Sequence, residues 1–257
     1  MKYKVAVVTG ASSGIGKAIA ESLAKQNVRL VLIARRHDKL EQVKRELQSY
    51  TEVHVIACDI THQQEISDAL NKVPDAFAPI DVLINCAGLA LGLDVAQETV
   101  WKDWEKMVNV NCIALSYLTH LLLPGMVERD FGHIVNIGST AGTYSYKGAN
   151  VYGATKAFVE QFSLNLKADL LGSSVRVTSI EPGMVGDSEF SLVRFKGDKD
   201  KANQVYEGLK PLCPDDVAAS VLWALTQPPH VNINRMELMP VSQAPSHLAC
   251  SRAGKIG

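Results

Sequence analysis

Short runs that are apolar throughout, each followed by a longer amphipathic stretch, recur along this 257-residue chain and constrain its fold more than any other feature. KVAVVTG (4–10), RLVLIAR (29–35), VHVIACDI, DVLINCAG, HIVNIGS and VRVTSIEPG read as strands, and VNINRMELMPV (231–241) as a late one. None alternates apolar with polar residues, so both faces of the sheet they build must be covered. Between them lie helical patterns. The first is expected from Ile15 to about Gln26, with Ile19, Leu23 and Ala24 on one side. The second runs from Asp38 to Tyr50, with Leu40, Val43 and Leu47 at spacings of three and four. Strand–helix alternation with right-handed crossovers gives an α/β fold, a doubly wound parallel sheet of about seven strands with helices on both faces. No repeat or Pro/Gly/Ser-rich linker divides the chain, so a single domain over 1–257 is expected.

Composition removes several classes of function. Lysine plus arginine number 26 against 27 aspartate plus glutamate, a net charge of −1 that offers nothing to nucleic acid or an anionic membrane. No run reaches the ~18 consecutive apolar residues that span a bilayer. The apolar run inside MKYKVAVVTGASSGIG is too short for a secretory leader. Five cysteines (58, 86, 112, 213 and 250) are odd in number and lack a CxxC pair, which argues against a disulfide framework or zinc site and for a reducing, cytoplasmic setting. The seven histidines show no ligand spacing, so no metal is expected.

The first strand ends in Thr9-Gly10-Ala11-Ser12-Ser13-Gly14-Ile15-Gly16 and enters a helix at once. Glycines at 10, 14 and 16 allow a tight turn and close backbone approach by a ligand. The helix N-terminus then offers free N–H groups and a positive dipole end to a pyrophosphate. After the second strand stand Arg35 and Arg36, where an NAD-selective site carries a carboxylate for the ribose 2′-hydroxyl. Guanidinium forks suit a 2′-phosphate instead, so NADP(H) is the expected cofactor.

With these residues in place the chain resembles the short-chain dehydrogenases/reductases nearly end to end. The family's TGxxxGxG matches 9–16, its acidic adenine contact Asp59 with Ile60 beside it, and its NxAG turn Asn85-Cys86-Ala87-Gly88. The helix asparagine matches Asn111, the serine after strand five Ser139, YxxxK Tyr152 and Lys156, and the PG turn Pro182-Gly183. Seven motifs in order, none specific alone, carry the likeness. It implies a Rossmann-like domain in which 1–95 mainly binds cofactor and 96–257 carries the catalytic residues. A substrate loop would lie at about 184–212 and a tail at 242–257. GSTAGTYSYKGANVYGATKAF, EPGMVGDSEFSLVRFKGD and HVNINRMELMP are similar, more narrowly, to NADP-dependent 3-hydroxy acid dehydrogenases. These are the serine/allo-threonine dehydrogenase type that also reduces malonic semialdehyde. Where many relatives carry threonine after PG, this chain has Asp187-Ser188. Ser188, with Val185, is the expected cofactor contact, and Asp187 would bring a negative charge near it.

Moving a hydride to or from a carbinol carbon requires a matching proton transfer at oxygen. A tyrosine hydroxyl, with an ordinary pKa of about 10, needs help to act as base near neutral pH. Lys156, one helical turn from Tyr152, places an ammonium beside it. Ser139 would bond the substrate oxygen. By resemblance, Asn111 holds a water relaying protons to Lys156, and Lys156 grips the nicotinamide ribose. A short 3-hydroxy acid has little apolar surface, so a cation must hold its carboxylate. Within SLVRFKGD, Arg194 has the fork that suits one. The alternative for Arg194 is pinning the loop. Trp101, Trp104, Phe158 and Phe162 read as core or interface, and Cys86 and Cys112 as inert buried thiols. The resemblance also implies a homotetramer, consistent with Phe158, Phe162 and Leu166 at spacing four. The tail after Pro240 would lie across a neighbour. Two further readings share these residues: a reductase of bulkier carbonyls such as 3-oxoacyl thioesters, and a non-catalytic NADP sensor, which would typically lack the tyrosine or lysine.

Overall fold

A computed structural model describes residues 1–245, 251–252 and 255–256. Seven strands form one parallel sheet in the order β3-β2-β1-β4-β5-β6-β7. They are β1 (Val5–Thr9), β2 (Arg29–Ala34), β3 (Val53–Ala57), β4 (Val82–Asn85), β5 (His133–Ile137), β6 (Arg176–Pro182) and β7 (Arg235–Leu238). β1 is buried along its whole length and shows why its pattern does not alternate. Ala6 and Val8 face one apolar layer, and Val5 and Val7 face the other.

The first layer is supplied by α1 (Gly14–Ala24), α2 (His37–Leu47) and α8 (Pro214–Thr226), through Ile19, Leu23, Leu40, Val43, Leu47, Val217 and Val221. The second comes from α3 (Gln63–Asn71), α4 (Trp101–Val108), α5 (Leu115–Glu128) and α6 (Asn150–Asp169). Ile66, Leu118, Met126 and Leu166 pack there. Both faces are therefore covered, as the all-apolar runs require.

Three details come from the structure alone. β7 begins four residues late because the Asn232 side chain takes the ladder's place: its Oδ1 accepts from Val177 N (2.9 Å) and its Nδ2 donates to Val177 O (2.9 Å). α4 and α5 are one continuous helix, interrupted by a π-helical segment, Asn109–Ala114. That helix, Trp101–Glu128, is long and apolar enough to cross a membrane, yet its Met107, Leu115, Leu118 and Met126 are spent in the core. The described start of the tail folds back on its own chain. Gln243 turns back, its Oε1 accepting from Met184 N at 2.8 Å, beside the PG turn. Further along, β8 (Ser251–Arg252) and β9 (Lys255–Ile256) pair antiparallel, and the rest of the expected tail contact falls outside the described residues.

Candidate active site

The strand order reverses between β1 and β4, and a cleft of about 1000 Å³ opens beyond the carboxyl ends of the strands there. Gly10, Ser12, Ser13, Gly14, Ile15, Gly16, Arg35, Arg36, Asp59 and Ile60 line one end of it. Ser139, Tyr152, Lys156, Pro182, Gly183, Val185, Ser188 and Arg194 line the other.

The glycine turn is built by close approach. Gly10 and Gly14 adopt positive φ, +69° and +54°, where a side chain is strained. A Cβ on Gly10 would also lie 3.0 Å from Ala87 Cα, and one on Gly16 2.8 Å from the Gly10 carbonyl carbon. Thr9 locks this turn to the next: its Oγ1 accepts from the backbone N–H groups of Cys86 and Ala87 at 3.0 and 2.9 Å. Arg36 Nη2 donates to Ser12 Oγ (3.1 Å) and Ser13 Oγ (2.9 Å), drawing the second strand's guanidinium over the first turn. Asp59 accepts from Thr61 N and Oγ1. Burial opposes its charge, but these bonds and the nearby Arg35 outweigh it and hold the carboxyl below its usual range.

Tyr152 and Lys156 stand a turn apart on α6, both buried. Lys156 Nζ donates to Ile137 O at 2.8 Å and lies 6.0 Å from the Tyr152 ring centroid. Burial lowers the Lys156 ammonium to about 8, so this amine can exchange a proton near neutral pH. Burial raises the Tyr152 hydroxyl, and two neighbours pull it back: the Ser139 hydroxyl and the Arg194 charge. Lys156, expected from the sequence to favour the phenolate, is not among these neighbours; Arg194, which the sequence assigned to substrate, is. Arg194, 9% exposed, stacks its guanidinium 5.1 Å from the Tyr152 ring and 5.3 Å from that of Phe190. Its Nη2 donates to Tyr146 Oη at 2.9 Å, while its buried Nε finds no acceptor.

Two expected site residues lie outside the cleft. Asn85 is buried beneath it, donating to Thr119 Oγ1 (3.1 Å) and Asn136 Oδ1 (2.9 Å), so it braces the turn rather than meeting a ligand. Asn111 sits in the π-helical segment, tied by its side chain to two neighbours. It accepts from Leu89 N and donates to Leu89 O and Thr155 Oγ1, each at 2.9–3.0 Å. The amide thereby holds the Gly88–Leu89 backbone against α6, with both Nδ2 hydrogens engaged and one lone pair of Oδ1 still open. Asp187 takes a positive φ of +48°, which aspartate tolerates, and is exposed, outside the residues that line the cleft but next to Ser188, which does line it. Cys86 and Cys112 are as inert as expected, burial pushing their thiols up to about 12 and about 11. Among the described residues no group of three or more potential ligands could hold a metal. Sequence reasoning missed Tyr146, which props Arg194, and Glu189, which bonds Arg36 across the cleft at 2.7 Å. Neither carries a signal in its local pattern.

Comparison with known proteins agrees with this geometry. The short chain dehydrogenase family pattern matches residues 4–195. The NADP-dependent 3-hydroxy acid dehydrogenase YdfG of Escherichia coli K12 is 48% identical over 240 residues, 93% of this chain and 96% of that protein. The serine 3-dehydrogenase of Rhizobium radiobacter is 46% identical over 238 residues, 93% of this chain and 94% of that one. The closed form of a serine dehydrogenase complexed with NADP+ superimposes with a TM-score of 0.93 at 47% identity, over 96% of this chain and 99% of that one. With the sheet, the glycine turn and the Ser139–Tyr152–Lys156 arrangement in one cleft, the chain belongs to the short-chain dehydrogenase family.

Proposed function

We propose that the chain is an NADP(H)-dependent oxidoreductase acting on short 3-hydroxy acids and the matching 3-oxo acids or semialdehydes. The observation that carries this reading is Arg194, a buried cation with an unpaired N–H, held against the ring of the tyrosine that would move the proton. A carboxylate placed on that fork sets the 3-position beside Tyr152 and Ser139. The names of the 46–48% identical relatives point the same way.

The residues present fit NADP. The turn leaves no room for a side chain at Gly10 or Gly16, and the arginine–serine cradle already receives an anion, the Glu189 carboxylate. Bound there, NADP+ supplies the hydride acceptor. Ser12, Ser13, Arg35 and Arg36 would hold its phosphates, Asp59 and Ile60 the adenine side, and Lys156, Pro182, Gly183, Val185 and Ser188 the nicotinamide side. Ser139 orients the substrate hydroxyl, Tyr152 takes its proton in oxidation or returns it in reduction, and Lys156 passes the proton on toward solvent. Tyr152 and Lys156 are both in place, which disfavours a sensor without turnover. Arg35→Ala should raise the NADP Michaelis constant about 10- to 150-fold, the worth of a charge-assisted bond to phosphate, with little change for NAD. Equal use of both cofactors by the wild type would refute the cofactor assignment.

The assembly we infer is a homotetramer. Phe158, exposed and stacked on Phe162 at 5.7 Å, shares α6 with a core-facing Leu166, and Val108 and Ile113 are exposed on the long helix beside it. A helix apolar on two sides needs two partners. Light scattering should give roughly four times the 27.9 kDa chain mass. The single-chain mass at micromolar concentration would overturn it. Free thiols at the four described cysteines fit a cytoplasmic setting, which cell fractionation would check.

A further inference from the structure

Glu189 stands at the start of α7 (Phe190–Arg194), on the loop that follows the PG turn, and is the one anion reaching into the arginine–serine end of the cleft from that loop. Its two oxygens are both engaged: Oε2 lies 2.7 Å from Arg36 Nη2 and Oε1 2.7 Å from Lys39 Nζ. Arg36 Nη2 is at the same time the donor to Ser12 and Ser13. These are the groups that the NADP reading assigns to the 2′-phosphate. A dianionic phosphate and a carboxylate cannot share one set of donors without like-charge repulsion.

We propose that Glu189 is an internal stand-in for the 2′-phosphate, a specificity residue that a 2′-phosphorylated nucleotide must displace and that a nucleotide lacking the phosphate leaves seated. This inference rests on the NADP reading. The carboxylate is charged at any physiological pH, since bonds to Arg36 and then Lys39 hold it at about 2. Displacement has a consequence five residues on. The same short helix ends in Arg194, whose carbonyl accepts from Gly92 N (2.8 Å) and whose guanidinium lies over Tyr152. With Glu189 seated, the loop is tied at both ends, to the cofactor cradle and to the catalytic wall. With Glu189 displaced, the cradle end is released, while the catalytic end stays held and Ser191 keeps its 2.7 Å bond to Tyr206. Occupation of the cradle by phosphate would thus free the loop that carries the substrate cation, which couples cofactor choice to loop position. Because the wild type must break the tether before binding phosphate, its affinity is reduced by the fraction of molecules latched.

The test uses 2′,5′-ADP and 5′-AMP, which share the adenosine and differ in the 2′-phosphate, titrated calorimetrically at fixed ionic strength. Glu189→Gln keeps the shape and removes the competing charge. The variant should bind 2′,5′-ADP about three- to tenfold more tightly than the wild type, the scale of one or two exposed ion pairs, with 5′-AMP within about twofold. Unchanged or weaker 2′,5′-ADP binding by the variant would overturn the proposal. If the wild type bound both nucleotides equally, the NADP reading itself would fail, a result distinct from a wild-type preference that the variant leaves untouched. A second readout separates a tether from a mere charge effect. In the wild type, 2′,5′-ADP, which has no nicotinamide to reorder the loop, should speed amide hydrogen exchange across Phe190–Arg194, and 5′-AMP should not. Equal protection with both nucleotides would contradict the tether.

Discussion

Tyr152→Phe is expected to lower turnover by at least about 10³ while leaving NADP+ affinity within a few-fold of the wild type, the upper part of the range for a general acid–base group. The substitution removes one oxygen and keeps the ring. Its packing against Phe190, at 5.8 Å between centroids, and against the Arg194 guanidinium survives, so the loss reports chemistry and not collapse of the site. Neither neighbour can take over. Ser139 is a far weaker acid than a phenol, and Lys156 relays protons through the tyrosine, its Nζ 6.0 Å from the ring centroid and bonded to Ile137 O. Steady-state rates with saturating substrate and cofactor, paired with cofactor titration, check it. Retention of more than a tenth of the turnover would remove Tyr152 from the role of proton carrier.

Arg194→Met should cost about 2–4 kcal/mol in kcat/KM for carboxylate substrates, the penalty for leaving a buried charge without its partner. Methionine fills much of the same space between Tyr146, Tyr152 and Phe190. The structure adds a refinement. Arg194 also pulls the Tyr152 hydroxyl down against the effect of burial, so uncharged substrates should lose a smaller share through the tyrosine, most visible in the oxidative direction. The excess loss on charged over neutral substrates is the carboxylate interaction. An equal loss on both would assign Arg194 to loop order and tyrosine tuning alone, and the acid would need another cation.

Much of this was legible in the chain because it is local. Val5–Thr9 is apolar on both faces and ends at Gly10, so strand, turn and helix announce themselves within a dozen residues. Tyr152 and Lys156 are fixed relative to one another by a single helical turn. The departures come from contacts between distant residues. Asn111 looks like any helix asparagine until the π-helical segment swings it onto Leu89, and Asn85 looks like a ligand until it is seen buried between Thr119 and Asn136. Asn232 shortens β7 by bonding as though it were backbone. Arg35 and Arg36 read as a phosphate clamp, but the partner that Arg36 shares with Lys39, Glu189, is 150 residues from Lys39 along the chain, and no periodicity connects them.

The central claim is that this cleft oxidises short 3-hydroxy acids with NADP+, selecting them by their carboxylate. The most direct measurement is the wild-type kcat/KM for a short 3-hydroxy acid, for its uncharged methyl ester and for a 3-hydroxyacyl thioester, each with NADP+ and with NAD+. The highest value is expected for the free acid with NADP+, with a clear drop when either the substrate's charge or the cofactor's 2′-phosphate is removed. A thioester or ester turned over better than the acid, or NAD+ serving as well as NADP+, would contradict it.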